Sequence, residues 1–392
     1  MRGIVWLILL FVAAVVAATT LGSNDGLVTL YWSGWRVDLS LNLFVLLLVG
    51  TCVAVMVAVQ ALNSMLTLPQ RASQWRALRR ERGAQAALRE AQSEYFSARY
   101  SRAHKAARRA LDLQQGSDDL RGDAEFTVLA HVLAAGSLHR LQDRTQRDAL
   151  MQSLLSRGLG GDDGARLLAA EWALDDRDAE QALRLLAELP PGVARRTQAL
   201  RLKLQAARMA RQPLDALHTA RMLANHQAFS ADAARSLLRS LAAEVLDGSR
   251  DIEQLRRLWT QLDDSDRRDP HVAARAALRA ALHDAHEEGR QWLRPFWDRL
   301  TDLDRDQRQQ VALALMAATP GLGNDWLARL EGAAKSFSHE PAILAAVGIA
   351  YAERQLWGKA RPLLEQAGAA SALPSAPRRQ AWRVLARLAR GE

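Results

Sequence analysis

Two charge-free runs open the chain, and nearly everything after them follows a helical period. Ile4 to Leu21 carries no charge and only Thr19 and Thr20 as polar residues. At 1.5 Å per residue that run covers about 27 Å, close to a bilayer core. Leu39 to Gln70 is again free of charge, and Leu43 to Val59 is almost unbroken Leu, Val, Ala, Phe and Met. The pattern predicts two transmembrane helices, about 4–21 and 41–66; Val16-Ala17-Ala18 also offers a cleavage site if the first run is a signal peptide. Between them Leu27 to Trp32 and Trp35 to Leu39 flank Ser33-Gly34, an alternation around a two-residue turn that predicts a short β-hairpin over 27–39. Trp32 and Trp35 suit the membrane interface there.

Pro69 is expected to end the second span. From about Ser73 the apolar positions are helical: Trp75, Leu78, Ala84, Ala87, Leu88, Ala91 and Tyr95. Tyr100 followed by Ala103, Ala107 and Ala110 has the spacing of the second helix of a tetratricopeptide (TPR) unit, where small residues let paired helices approach. Counted from Pro341, the positions Gly348, Tyr351, Trp357, Ala360, Leu364 and Ala367 repeat that signature over 341–374, with Pro362 as its departure. Leu168 to Leu189, with Asp175-Asp-Arg-Asp178 as turn, and Leu200 to Ala224, with Gln212-Pro213 as turn, are weaker echoes. Leu255 to Leu282 and Trp292 to Met316 are helical by period alone. Gly158–Gly164 and Asp263–Pro270 read as breaks able to divide the array into two lobes. A further break at Ser371–Pro377 precedes a final helix, Arg378 to Arg390, with Trp382 and Leu385 as its buried stripe. The expected organisation is an anchor over 1–68, basic juxtamembrane helices and a first TPR-like unit over 69–113, degenerate repeats over 114–264 and C-terminal repeats over 265–392. The fold class is all-α: two spans, then a TPR-like α-α solenoid whose concave surface would meet a protein partner.

Charge sharpens this. The net charge is +9, and residues 71–109 alone hold eleven basic against three acidic side chains. Arg71, Arg76, Arg79, Arg80 and Arg82 follow the second run directly, which by the positive-inside rule keeps the bulk of the chain cytoplasmic and offers the arginines to anionic lipid headgroups. Nucleic acid is not expected as a partner, because neither aromatic interleaving nor a helix-turn-helix pattern accompanies the charge. Cys52, the single cysteine, excludes a disulfide framework or cysteine metal site within one chain.

No GxGxxG, GxxxxGK[ST] or GxSxG occurs, so no catalytic residue, no enzyme activity and no metal are expected. Only histidines remain as candidate ligands. His283 and His286, at i and i+3 beside Glu287, would share a helical face and are the one place where haem or porphyrin could be held; a solvated face is the plainer reading. His131 and His139 also fall on one helical side, and Asp162-Asp163, Asp175-Asp176 and Asp263-Asp264 suit loops or caps.

Two spans around a tryptophan-bearing hairpin, Leu68-Pro-Gln-Arg71, Trp75, Arg79-Arg80 and then Tyr100-Ser-Arg-Ala103 opening a TPR array resemble the proteobacterial HemY family, most specifically over Met1 to Leu113, with Tyr351 to Glu365 in support. The resemblance implies an inner-membrane, multi-pass protein associated with a late step of protohaem biosynthesis. It implies a scaffold holding late-pathway enzymes, with a direct haem or porphyrin carrier or a general adaptor for envelope assembly as alternatives. The chain is not similar to the flavin-dependent protoporphyrinogen oxidase of the same name, for it lacks a glycine-rich FAD turn. With one cysteine it also lacks the CxxC module of the membrane-anchored TPR protein of lipopolysaccharide regulation. The resemblance leaves oligomeric state open.

Overall fold

The computed structural model describes Phe11 and residues 26–116, 118–158 and 162–390, with side chains at 63–74 and 118–119 outside the description. The span predicted over Ile4–Leu21 therefore lies outside the described residues. The chain divides into two compact units, one through Leu150 and the other from Met151.

The N-terminal unit opens with strands β1 (Leu27–Trp32) and β2 (Trp35–Ser40), an antiparallel pair in which Leu27 faces Ser40 and Trp32 faces Trp35. Ser33 and Gly34 both adopt positive φ, the geometry a two-residue hairpin turn requires. Helix α1 (Leu41–Phe96) follows with no linker. Ser40 Oγ accepts from Leu43 N–H at 3.3 Å, and Leu41 N–H donates to Gly26 O at 2.9 Å, so cap and hairpin base are tied together. The helix is 56 residues long, about 84 Å. It continues as helix through Pro69, which was expected to end the second span. A mid-helix proline removes one backbone hydrogen bond, and the long runs of helix formers on either side carry the helix past it.

The last four turns of α1 pack on α2 (Tyr100–Gln115). Ala84, Ala87 and Ala91 of the first meet Ala106, Ala107, Ala110 and Leu111 of the second, so small side chains set a close helix pair. The short α3 (Asp118–Arg121), α4 (Ala124–Arg140) and α5 (Arg144–Leu155) complete this stretch, with the unit boundary falling inside α5. Gln114 holds the connection: its buried amide donates to Leu120 O, Asp123 O and Thr127 Oγ1.

The C-terminal unit is a row of helix pairs: α6 (Asp163–Asp175) with α7 (Ala179–Ala187), then, after the short α8 (Pro191–Ala194), α9 (Thr197–Met209) with α10 (Pro213–Asn225). Next come α11 (Ala231–Asp247) with α12 (Ile252–Gln261) and, after α13 (Asp264–Arg267), α14 (Pro270–Leu282) with α15 (His286–Trp297). α16 (Arg305–Ala317) is followed by α17 (Leu327–Ser336), α18 (Pro341–Glu353) pairs with α19 (Trp357–Ala369), and α20 (Ser375–Arg390) closes the row. First helices begin at Asp163, Thr197 and Ala231, 34 residues apart, and again 34 apart at Pro341 and Ser375. That is the TPR period, stretched to 39 residues where α13 is inserted.

Two expectations change here. Asp263–Pro270 does not divide the array: one core joins Leu255 and Leu262 before it to Val272 and Ala276 after it, and Asp263 and Asp269 are the residues before α13 and α14. The final helix starts at Ser375, and its buried residues are Ala381 and Val384. Trp382 is half exposed, lying across Gly368 with its indole N–H donating to Gly368 O at 3.2 Å, and Leu385 is partly buried.

Most turns within pairs share one device. Ala98, Gln142, Arg177, Arg211, Asp284 and Gln355 all adopt positive φ between a first and a second helix. In each case the next N–H closes back on the carbonyl five residues before it, as in Asp178 to Ala173 O and Leu356 to Tyr351 O, both 2.8 Å. This is the six-to-one bond of a helix C-terminal cap whose left-handed residue is ordinarily glycine.

Candidate membrane anchor and partner-binding face

Within α1, Leu41–Leu62 is long and apolar enough to cross a membrane: 22 residues, mean hydropathy 2.6, none of the most apolar window buried. A core helix of the same composition would be covered by its own chain. Cys52 lies exposed on this stretch. The hairpin at its head is equally uncovered, with Trp32 and Trp35 83% and 78% exposed.

Beyond the apolar stretch α1 becomes a stalk. Trp75 and Leu78, which keep the helical period, are exposed, and burial begins only at Ala84. Measured from Leu62 along the axis, Arg71 is about 14 Å, Arg76 about 21 Å and Arg82 about 30 Å away, against a screening length of about 8 Å. Arg71 and Arg76 are thus the positions nearest the apolar stretch. Arg79 stacks over the Trp75 ring at 5.2 Å, and Arg80 Nη1 donates to Gly116 O at 3.0 Å, bracing the end of α2. Arg82 is exposed.

The repeat signature residues sit at helix contacts. Ala103, Ala107 and Ala110 are fully buried on α2, and Tyr100 meets Tyr95 edge-on at 5.6 Å across the turn. Gly348 lies against Leu364 and Ala360, Ala360 and Ala367 are fully buried, and Trp357 opens α19 while 42% exposed. Burial pushes the Tyr351 phenol up, with the Glu331 carboxylate adding to it, and Lys359 Nζ sits 5.9 Å from its ring.

His283 and His286 do not share a helical face, because α14 ends at Leu282 and Asp284 turns the chain through positive φ between them. His283 Nε2 lies 3.5 Å from Ser249 Oγ, and His286 Nε2 lies 4.0 Å from Asp284 Oδ1. His286 Nδ1 is buried without a hydrogen-bond partner. His131 is buried with Nδ1 2.8 Å from Thr127 O, and His139 Nδ1 is 2.9 Å from Arg147 Nη1. Among the described residues no group of three or more His, Cys, Asp or Glu side chains is placed to hold a metal.

One feature escaped the sequence reading. Across most of the C-terminal unit, arginines pair with carboxylates about one repeat away. Arg239 reaches Asp269 at 2.7 Å, Arg275 reaches Asp247 at 2.8 Å, Arg308 reaches Glu340 at 2.6 Å and Arg329 reaches Asp298 at 2.7 Å. α9 breaks the rule. Arg195, Arg196, Arg201, Lys203, Arg208 and Arg211 are all exposed, and among the described residues none pairs with a carboxylate. Arg201 and Arg208, seven apart, share an exposed stripe with Gln198 and Gln205, between the face that buries Ala199, Leu202 and Ala206 and the face that buries Leu200, Leu204 and Ala207. The nearest acidic residues in sequence are Glu188 and Asp215.

In the N-terminal unit an uncovered apolar helix, long enough to cross a membrane, runs on into a close helix pair, and the C-terminal unit is a row of helix pairs of mostly 34-residue period; together they define an α-helical repeat protein of TPR type. Residues 26–135 match the family model described as the HemY protein N-terminus, which spans the hairpin, α1, α2 and most of α4. The likeness to the HemY family covers that segment. No curated protein matches it. Among solved structures it is similar to the TPR domain of P58(IPK), at 10% identity and a TM-score of 0.24, over 79% of this chain and 98% of that one. A likeness that loose carries no argument, and the repeat assignment rests on the helix pairs themselves.

Proposed function

We propose that this chain is a membrane-anchored TPR scaffold of the HemY family, non-catalytic and without a resident cofactor. In this reading it organises enzymes of a late step of protohaem biosynthesis at the inner membrane. The observation that carries the scaffold reading is the single helix that joins Leu41–Leu62 to the Ala84, Ala87 and Ala91 contact of the first repeat. With no flexible joint between span and array, the first repeat is held at a fixed height, roughly 33 Å of helix beyond Leu62. A partner working on a hydrophobic porphyrin at the bilayer would gain from that placement. In this reading the basic side of the apolar stretch is cytoplasmic by the positive-inside rule, and the charge-free run Ile4–Leu21, as a second span, would make the protein multi-pass. The tetrapyrrole assignment is supported by the family alone.

The test is affinity capture of the full chain from solubilised membranes, scored for enzymes of late tetrapyrrole synthesis, together with porphyrin and haem levels after deletion. Recovery of such an enzyme with accumulation of porphyrin supports the scaffold. Absence of both overturns it.

A further inference from the structure

The register of the hairpin sorts its side chains sharply. Val28 pairs with Leu39, Leu30 with Val37 and Trp32 with Trp35, and these alternate pairs place six apolar side chains on one face. The opposite face carries Leu27 with Ser40, Thr29 with Asp38 and Tyr31 with Arg36, so Leu27 is its one aliphatic side chain, and Arg36 Nε bonds Asp38 Oδ1 at 3.1 Å. The apolar face has nothing over it. Leu30 and Val37 are 46% and 49% exposed, and only Val28 and Leu39, next to α1, are half-buried. A two-stranded sheet without a covered face is marginal in water.

We propose that this face is a lipid-binding surface: the hairpin lies along the bilayer with Val28, Leu30, Trp32, Trp35, Val37 and Leu39 sunk into the headgroup and upper acyl region. The occupant follows from continuity. The hairpin base is bonded to the first turn of the apolar helix through Leu41 N–H to Gly26 O, so the sheet begins where the span meets water. Six residues per strand extend about 20 Å, and lying flat is the arrangement that covers all three apolar pairs while leaving Arg36 and Asp38 hydrated. The tryptophan pair at the tip belongs to the residue type that favours this depth. The proposal rests on Leu41–Leu62 being a span.

The chain's single cysteine separates the two questions. In the full-length protein, one copy per lipid nanodisc, an environment-sensitive fluorophore on native Cys52 reports on the span. In a Cys52→Ser background, Val37→Cys and Tyr31→Cys carry the same label on the two hairpin faces, Tyr31 being 76% exposed, and doxyl-labelled phosphatidylcholine is the quencher. The expected result is blue-shifted emission and strong quenching at position 37, with a water-like, weakly quenched label at position 31. Equal quenching at 37 and 31, with Cys52 quenched, overturns the hairpin proposal alone. A label at 37 shielded from water but unreached by doxyl lipid also overturns it, since protein is then the cover. An unquenched Cys52 removes the span and the proposal with it.

Discussion

A Cβ added to Gly348 would fall 2.7 Å from Leu364 Cγ and 3.4 Å from Ala360 O, so α18 and α19 touch at a point where only hydrogen fits. Leu364 is fully buried and has no room to turn aside. Gly348→Ala should therefore destabilise the array by about 1–3 kcal/mol, as overpacking in a filled core does. Gly332, within α17, has nothing within 4 Å of its missing Cβ. Gly332→Ala should stabilise by about 0.5–1 kcal/mol, through helix propensity alone. Thermal unfolding of the solubilised chain should move in opposite directions for the two, and a shift of the same sign would mean that the close approach is misread.

The turn residues with positive φ give a second expectation. Arg177, Arg211 and Gln355 occupy left-handed backbone where a side chain is disfavoured by about 1 kcal/mol or more. Arg177→Gly and Gln355→Gly should each stabilise by roughly 0.5–1 kcal/mol net of glycine's greater unfolded-state freedom. Val at either position should destabilise. Denaturant midpoints decide between this and a turn that tolerates any residue.

These turns also show where the sequence was legible and where it was not. Small residues at Ala103, Ala107, Ala110, Gly348 and Ala360 were readable because close helix contacts demand them and few other environments do. The turns hid because their left-handed residues are Ala, Gln, Arg and Asp, with no glycine to mark them. His283 and His286 looked like one helical face for that reason: the period runs unbroken in letters, while Asp284 reverses the backbone. Pro69 misled the other way, since a proline stops a helix only where the flanking residues cannot sustain it. The α9 charge was lost in summation, because residues beyond 109 net to almost nothing while six unpaired cations sit together within them.

Arg290 makes a third case. It is buried and donates to Ala318 O and Pro320 O at 2.6 and 2.7 Å, and to Gly321 O at 3.2 Å, closing the loop after α16. Burial pushes its guanidinium below the ordinary value, with Glu287 and Asp325 opposing. Arg290→Met keeps much of the volume but strands three carbonyls. A loss of about 2–3 kcal/mol is expected. Arg290→Lys should fall short as well, since one ammonium cannot span three acceptors in a fixed fork. Hydrogen exchange in residues 318–323 should rise in both variants, and unchanged protection there would show that the loop holds itself.

The exposed stripe of α9 is where an acidic partner segment would register. Arg201 and Arg208 touch no carboxylate among the described residues, so replacing them should leave stability within about 0.5 kcal/mol. Their removal acts on binding alone. For a partner captured by the wild-type chain, Arg201→Glu with Arg208→Glu should cut recovery tenfold or more, because two attractions become two repulsions at the same contact. Wild-type capture should fall steeply as salt rises from about 0.05 to 0.3 M, while the reversed variant should show little further loss. The control is Arg379→Glu with Arg383→Glu on α20, an equal change of charge on the closing helix. If both double variants lose the partner alike, net charge steers the encounter and α9 is no docking face; if only the α9 variant does, the cations that lack internal partners are the ones that meet an external one.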